Sequence, residues 1–155
     1  MKINAEVRGG EKLAKKLKQI QNRLTSKKRV LVGLPAGSGN YEEGAPIVVI
    51  GAVHEFGSAD GKVPERSFLR VPLRQNQDNI KKGFAALSRK VVKGEISAFQ
   101  MLDQMGARAV GYCQEAIEAG ISPANAPSTI KRKGSATPLI DKGILKNKIT
   151  HVVED

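Results

Sequence analysis

The segment from Ser97 to Gly120 constrains the fold of this chain more than any other part of the sequence. Ser97 followed three residues later by Gln100 has the spacing of a capping box, a pattern typical of a helix start. A glycine followed by Pro123 is typical of a helix end. Between these signals, five residues recur at helical spacing: Leu102, Met105, Ala109, Cys113 and Ile117. The sequence therefore predicts a long helix over residues 97–119, with one buried face and a left-handed glycine at its end.

Three other segments are also predicted to be helical. Apolar residues spaced by 4, 3 and 4 indicate one helix over Glu11–Leu24, with a lysine-rich outer face, and a second over Leu73–Val92 that stops at Gly94. The segment 46–55 is ambiguous, because its β-branched residues favour a strand whereas Pro46 suits the first position of a helix. We favour a helix there.

Strands are predicted near both ends of the chain. Residues 2–8 alternate between apolar and polar side chains, Arg29–Leu34 is short and rich in β-branched residues, and Lys148–Val153 alternates again. Asp141–Lys146 suits one short helical turn. We therefore predict a single domain over residues 1–155 of the α+β class, in which a small, mainly antiparallel sheet packs against two long helices.

Two long segments have no periodic apolar face. Residues 56–72 are interrupted by glycines and prolines, and residues 121–138 contain three prolines without evident structure. A long irregular segment such as 121–138 in a compact domain is usually either functional or disordered. We interpret both as arms that reach a neighbouring subunit, and two ordinary connections on a monomer are the alternative.

The chain has 26 basic and 15 acidic residues among its 155, which gives a net charge of +11. Residues 1–33 hold ten basic and two acidic residues, residues 34–120 hold ten of each, and residues 121–148 hold six and one. The first block is interpreted mainly as the solvated side of a surface helix, with Lys12, Lys15, Lys16 and Lys18. The second block, around Lys131-Arg132-Lys133, indicates a phosphate-bearing or acidic partner.

The sequence lacks the patterns of the common catalytic and metal sites. His54-Glu55 resembles the start of a zinc-protease helix, but the second histidine is replaced by Ser58. With His54, His151 and Cys113 alone, no zinc site of four nitrogen and sulfur ligands can be assembled. We predict no catalytic residue, cofactor or metal, and a hydrolase using His54 and Glu55 is the least favoured class. The apolar runs are too short for a membrane span, and the start of the chain predicts a cytoplasmic protein at synthesis.

Three segments together resemble the neck or tail-completion proteins of long-tailed bacteriophages, which are often described as minor tail components. The segments are His54-Glu55-Phe56-Gly57, then Val63 to Arg70, and last Asn125 to Ser135 continuing from Pro138 to Ile149. The resemblance covers residues 46–153 in matching order. The chain departs from the family pattern, which usually has Pro at Ser67, Thr at Lys142, Arg at Lys146 and Ser at Lys148.

This resemblance implies a noncatalytic subunit that forms a ring with its own copies at the head-tail junction, around the path of the DNA. It implies a hexamer or a multiple of it in the virion, a monomer in isolation, head-closure and tail proteins as neighbours, no membrane, and the host bacterial cytoplasm as the place of assembly. Nonspecific contact with DNA is compatible with it. The competing class is a basic nucleic-acid-binding accessory protein of the cell.

The second basic block and the resemblance predict two sets of site residues. The residues predicted to face DNA or an acidic partner are Lys131, Arg132, Lys133, Lys142 and Lys146. The family-motif residues, predicted to contact other subunits, are His54, Glu55, Phe56, Gly57, Pro64, Arg66, Phe68, Leu69, Arg70, Pro138, Leu139, Asp141, Gly143 and Leu145. Among them, Arg66 and Arg70 flank an apolar pair and are expected to bind carboxylates of an adjacent chain. Local packing is the alternative.

Overall fold

The computed structural model of the protein describes residues 10–24, 27–42, 44–134, 136–140 and 142–154. Within these residues the chain has the predicted α+β architecture, in which a small antiparallel sheet accompanies seven helices. The elements are α1 Gly10–Leu24, β1 Arg29–Gly33, α2 Ile47–Phe56, α3 Arg70–Gln75, α4 Gln77–Lys93, α5 Ala98–Ala119, α6 Pro127–Lys133, α7 Ile144–Lys148 and β2 Thr150–Glu154.

The capping box at the start of α5 is confirmed. The Gln100 N–H donates to Ser97 Oγ at 3.1 Å, and the Ser97 N–H donates to Gln100 Oε1 at 2.8 Å. All five residues of the predicted apolar stripe are buried. At Gly120 the positive φ of 86° is confirmed, but ψ is 118°, so the predicted left-handed helical conformation is wrong. A single backbone hydrogen bond to Ile117 closes the helix there.

Removing this cap should weaken the fold measurably. Because Ser97→Ala leaves an N–H of the first turn without its side-chain acceptor, we expect a loss of about 1 kcal/mol in the free energy of unfolding. Urea denaturation measures the difference. Ser128→Ala changes an exposed serine in α6 and is the control, with an expected change below about 0.5 kcal/mol. Equal effects of the two substitutions would contradict the capping role.

The two strands pair in antiparallel register, with Leu31 opposite Val152 and Val32 opposite His151. One face of this sheet packs on α5, where Gly106 is required because a Cβ would overlap the His151 ring and the Val30 side chain. Leu31 and Val152 lie on the other face and are 45% and 47% exposed. The predicted strands Arg29–Leu34 and Lys148–Val153 are thus confirmed within a residue or two at each end, and the predicted strand over residues 2–8 lies outside the described residues.

The predicted single helix over 73–92 is instead two helices, α3 and α4, that meet at Asn76. The Asn76 side-chain amide donates to the carbonyl oxygen of Pro72 at 3.0 Å. An asparagine that bonds its side chain to nearby backbone competes with helix continuation, which accounts for the break. The stop at Gly94 is confirmed, since this glycine is left-handed with φ 79° and ψ 18°.

The helix over 46–55 is confirmed as α2, whereas residues 121–138 are not wholly irregular. Helix α6 begins at Pro127, which occupies a first-turn position, and ends at the left-handed Gly134. Proline at the start and glycine after the end are helix signals that need no apolar periodicity. Of the predicted irregular segment 56–72, residues 57–69 contain no helix or strand, but Phe56 ends α2 and residues 70–72 begin α3, so the prediction is wrong at both ends. The predicted turn over 141–146 is found slightly later, as α7.

The main core lies between α2, α5 and the segments that flank α7. Its buried members come from separate parts of the chain: Ile47, Phe68, Cys113 with Ile117, Leu139, and Leu145 with Ile149. Leu139 adopts a φ of 64°, which is unusual for a residue other than glycine. Phe68, Leu139 and Leu145 therefore hold their parts of the chain against α2 and α5.

Helix α1 packs only partly on the rest of the domain. Near its end, Arg23 donates from Nη1 to the carbonyl oxygen of Val92 at 3.3 Å. Farther along the predicted apolar stripe, Leu13 and Leu17 are 60% and 57% exposed. The helix is confirmed, and the lysine-rich face is exposed as expected. Much of its apolar stripe also remains accessible to a partner.

Candidate functional site: the Glu55 cluster and two basic surfaces

Glu55 is a buried carboxylate held by four donors, and we call Glu55, Ser67, Leu69 and Arg70 the Glu55 cluster. Glu55 is 3% exposed at the end of α2. Its Oε1 accepts from the Ser67 hydroxyl at 2.6 Å, from the Arg70 N–H at 3.1 Å and from Arg70 Nε at 2.8 Å. Its Oε2 accepts from the Leu69 N–H at 2.9 Å. This carboxylate therefore fixes the chain entering α3.

The charge of Glu55 is maintained by these bonds. Burial alone would raise the pKa of Glu55, but hydrogen bonds from Ser67, Leu69 and Arg70 together outweigh burial and hold the pKa below its usual range. The side-chain hydrogen bond between Glu55 and Arg70 acts on Arg70 in the opposite direction and raises its pKa, which also favours the charged form. The two groups form an ion pair, and the ionised carboxylate has all four bonds directed at its own chain.

Arg70 connects this cluster to the surface. Its Nη2 donates to the backbone oxygen of Glu55 and to Oε1 of Glu65, both at 2.9 Å. Its guanidinium carbon lies 4.5 Å from the centroid of the Phe56 ring, a distance typical of a cation-π contact. Phe56 is 64% exposed. An aromatic side chain and an arginine are thus held together at the surface by the carboxylates beneath them.

Arg66 joins the same segment to the chain beyond α5. Its side chain is nearly buried, with Nε donating to the oxygen of Pro123 at 2.7 Å and Nη2 to the oxygen of Ala124 at 3.1 Å. Its backbone N–H donates to the oxygen of His54 at 2.7 Å. Burial lowers the pKa of Arg66. Arg66 therefore ties three distant segments together.

We call the Glu55 cluster, Arg66 and the residues that pack with Phe68 the framework, and most of the other family-motif residues belong to it. Phe68 is fully buried, Leu139 and Leu145 pack with it, and Leu69 is partly buried against the same core. Pro138 is buried and Pro64 is exposed. Gly57 and Gly143 have positive φ values, and a Cβ at Gly57 would lie 3.2 Å from the Glu65 nitrogen. Asp141 lies outside the described residues.

Arg66, Phe68 and Arg70 each contact groups of their own chain, as the local-packing alternative expects. Contact of these residues with another subunit stays a prediction. Among the described members of the motif, Phe56, Pro64 and Arg70 are exposed. A partner would meet those side chains and not the core around Phe68.

The residues predicted to face DNA or an acidic partner have different surroundings. Lys131 is exposed on α6, and the side chains of Arg132 and Lys133 are outside the described part of the structure. Lys142 binds Glu42 at 2.6 Å, and Lys146 binds Glu118 at 2.6 Å. Of the three predicted cations whose side chains the structure describes, Lys142 and Lys146 are therefore paired with carboxylates of the same chain.

A second basic surface was missed by the sequence reasoning. Helix α4 carries Lys81, Lys82, Arg89, Lys90 and Lys93, all exposed, and its end packs against the lysine-rich α1. Counting charges in sequence blocks concealed this basic surface. Residues 34–120 have no net charge as a block, but most of the acidic residues of the block lie outside α4. The spacing of Lys82, Arg89 and Lys93 by 7 and 4, opposite the apolar stripe of α4, is the signal that locates it.

Reactive groups in the described residues have structural surroundings. Burial, with a smaller effect of Glu55, raises the pKa of Cys113 to about 11, so this thiol stays protonated at neutral pH. His151 Nε2 lies 2.9 Å from Asp103 Oδ1. No group of three potential metal ligands occurs among the described residues. None of the described helices combines the length and apolar composition of a bilayer span.

Comparison of the chain with protein-family models, curated proteins and solved structures finds no match.

Proposed function

We propose that this chain is a noncatalytic structural subunit of a bacteriophage virion, forming a ring with its own copies at the head-tail junction around the DNA path. One observation carries the proposal: the first two segments of the resemblance, which are close in sequence, and the third, which is far from them, meet in one framework. Glu55 of the first segment bonds Ser67, Leu69 and Arg70 of the second, and Arg66 reaches the carbonyls just before the third.

The chemistry of this framework supports a structural role. A buried carboxylate bonded by four donors of its own chain has little capacity left for a substrate or a metal. Its effect is to orient the backbone of residues 66–70 and to place Phe56 and Arg70 side by side at the surface. Aromatic and arginine side chains held in fixed positions are typical of the central residues of protein-protein interfaces.

Exposed apolar side chains support assembly with other subunits. On the described sheet, Leu31 and Val152 face away from α5, and Leu13 and Leu17 extend along α1. A two-stranded sheet is marginally stable by itself and leaves backbone groups unpaired at its edges. Subunits that pack in a ring would cover these surfaces, which is the reason to expect that ring contacts stabilise the chain.

The proposal is tested by electron microscopy of phage particles made without this protein. We expect separate filled heads and finished tails, because the joint between them would be incomplete. Supplying the wild-type chain from a plasmid should restore joined particles, whereas supplying a chain with Phe56→Ala and Arg70→Ala should restore few. Complete, joined particles in the absence of the protein would exclude this role.

A further inference from the structure

Helices α1 and α4 together concentrate most of the charge of the protein. They carry ten basic residues against two acidic ones, Glu11 and Asp78, which gives +8 of the chain's +11. All ten basic side chains are exposed. Among described carboxylates, only Asp78 and Glu95 approach any of them within 4.0 Å, at 3.8 Å from Lys81 and 3.7 Å from Lys93.

Six of these cations form two stripes that we call the α1–α4 cationic face. On α1, Lys12, Lys16 and Arg23 are spaced by 4 and 7, so they share one side of the helix. On α4, Lys82, Arg89 and Lys93 are spaced by 7 and 4 on the side opposite the buried Val91. Both stripes contribute residues to a cleft of about 440 Å³ between the helices, which is lined by Lys16, Gln19, Ile20, Arg23, Val92 and Lys93.

The arrangement differs from that of several other basic residues. Arg29, Arg70, Lys142 and Lys146 each bind a carboxylate of the chain. At the cleft, by contrast, Arg23 bonds a backbone oxygen, which positions its charge beside Lys16 and Lys93 without neutralising it. Like charges gathered in this way repel one another and are favourable only when a polyanion or salt neutralises them.

We propose that the α1–α4 cationic face binds the phosphate backbone of duplex DNA without reading its sequence. From Lys12 to Arg23 the helix spans about 16 Å at roughly 1.5 Å per residue, which matches about five base-pair steps of roughly 3.4 Å. Single strands are usually bound through exposed aromatic rings. Helix α1 has none, and Phe84, the aromatic residue of α4, is on the partly buried side. The face therefore suits a duplex.

The test is the binding of a fluorescent duplex of about 20 base pairs to the full chain, followed by anisotropy at two salt concentrations. If about five phosphates are neutralised, the affinity falls several hundred-fold between about 50 and about 200 mM salt. A single strand of equal length and a polyglutamate of equal charge should each compete at least about tenfold less well than the duplex. A salt dependence of less than about tenfold, or equal competition by either polymer, would overturn the proposal.

Charge reversal locates the site. The variant Lys12→Glu with Lys16→Glu and Lys93→Glu should bind the duplex at least about 30-fold more weakly, and the slope of log affinity against log salt should decrease by about three. The control variant Lys62→Glu with Lys131→Glu and Lys148→Glu changes the net charge equally at exposed sites elsewhere. Its affinity should fall less than about threefold.

Equal losses in the two variants would mean that net charge alone binds DNA, and a larger loss in the control would move the site to the second basic block; either result rejects the proposal. Circular dichroism checks that both variants are folded, and Gln at the same three positions serves as a milder version. The proposal does not depend on a virion role. If particles made without the protein consist of separate heads and tails while the isolated chain does not bind DNA, the virion role stands and DNA binding by the α1–α4 cationic face is rejected.

Discussion

Replacing Glu55 by alanine is expected to lower the free energy of unfolding by about 3–5 kcal/mol. The substitution leaves the buried Ser67 hydroxyl and the partly buried Leu69 and Arg70 N–H groups without their shared acceptor. Each unsatisfied buried donor costs about 1–3 kcal/mol. Urea denaturation followed by circular dichroism measures the difference. The loss is a large part of the roughly 5–15 kcal/mol that stabilises an ordinary domain, so the midpoint of the urea transition should fall well below that of the wild type.

The matched control is Glu65→Ala, which removes an exposed carboxylate bonded to the same arginine. Its expected cost is below about 1 kcal/mol, because exposed ion pairs contribute little. A Glu55→Ala variant that is no less stable than Glu65→Ala would show that the Glu55 cluster does not hold the fold together.

Glu55 should also make stability depend on pH. Because its pKa is lower in the folded chain than in the unfolded chain, its contribution is fully present above the ordinary glutamate value of about 4.3. The contribution is lost as the pH falls through the lower folded value. Glu55→Gln cannot titrate, so the stability difference between wild type and this variant should narrow on acidification below about pH 4.3.

Replacing Phe68 by alanine is the second change with a large expected effect, a loss of about 3–5 kcal/mol. Phe68 has no exposed surface, and its ring contacts the core that unites α2, α5 and the segment around Leu139. The loss should be measured in the isolated chain at concentrations where it is monomeric. This condition matters, because a residue that packed only between subunits would leave the monomer's stability unchanged.

Phe99→Ala serves as the control for Phe68→Ala, since it removes the same ring from a position on α5 that is 50% exposed. We expect its cost to be about 1 kcal/mol or less. Equal stability of the two variants would revive the interpretation of Phe68 as an anchor in a neighbouring subunit.

Local signals predicted most of the elements correctly. Each of these signals depends only on residues within a few turns of one helix, so it can be predicted from residue spacing. Examples are the cap at Ser97, the apolar stripe of α5 and the stop of α4 at Gly94. The break at Asn76 and helix α6 were missed. At Asn76, a side-chain bond to nearby backbone breaks the helix although the apolar periodicity continues. In α6, a proline at the start and a glycine after the end define a helix that lacks apolar periodicity.

The candidate site was recovered only in part. The resemblance singled out Glu55, Arg66 and Arg70, but the expectation that guanidinium groups reach carboxylates of a neighbouring chain did not anticipate Glu55 as the local partner. The distance between Glu55 and Arg70 along the chain is short, yet their pairing requires the turn through Gly57 and the path of residues 57–69. No spacing rule describes such a path.

The sequence by itself determined the α+β class, the long helix α5 and the positions of the described strands, because helix caps, periodicity and β-branched runs act over a few residues. The tertiary structure alone decided that Glu55 lies beneath Arg70 and that α4 brings its cations beside those of α1. Burial and electrostatic fields depend on distances in space between side chains far apart in the chain, and a balanced count of charges along the sequence carries no information about those distances.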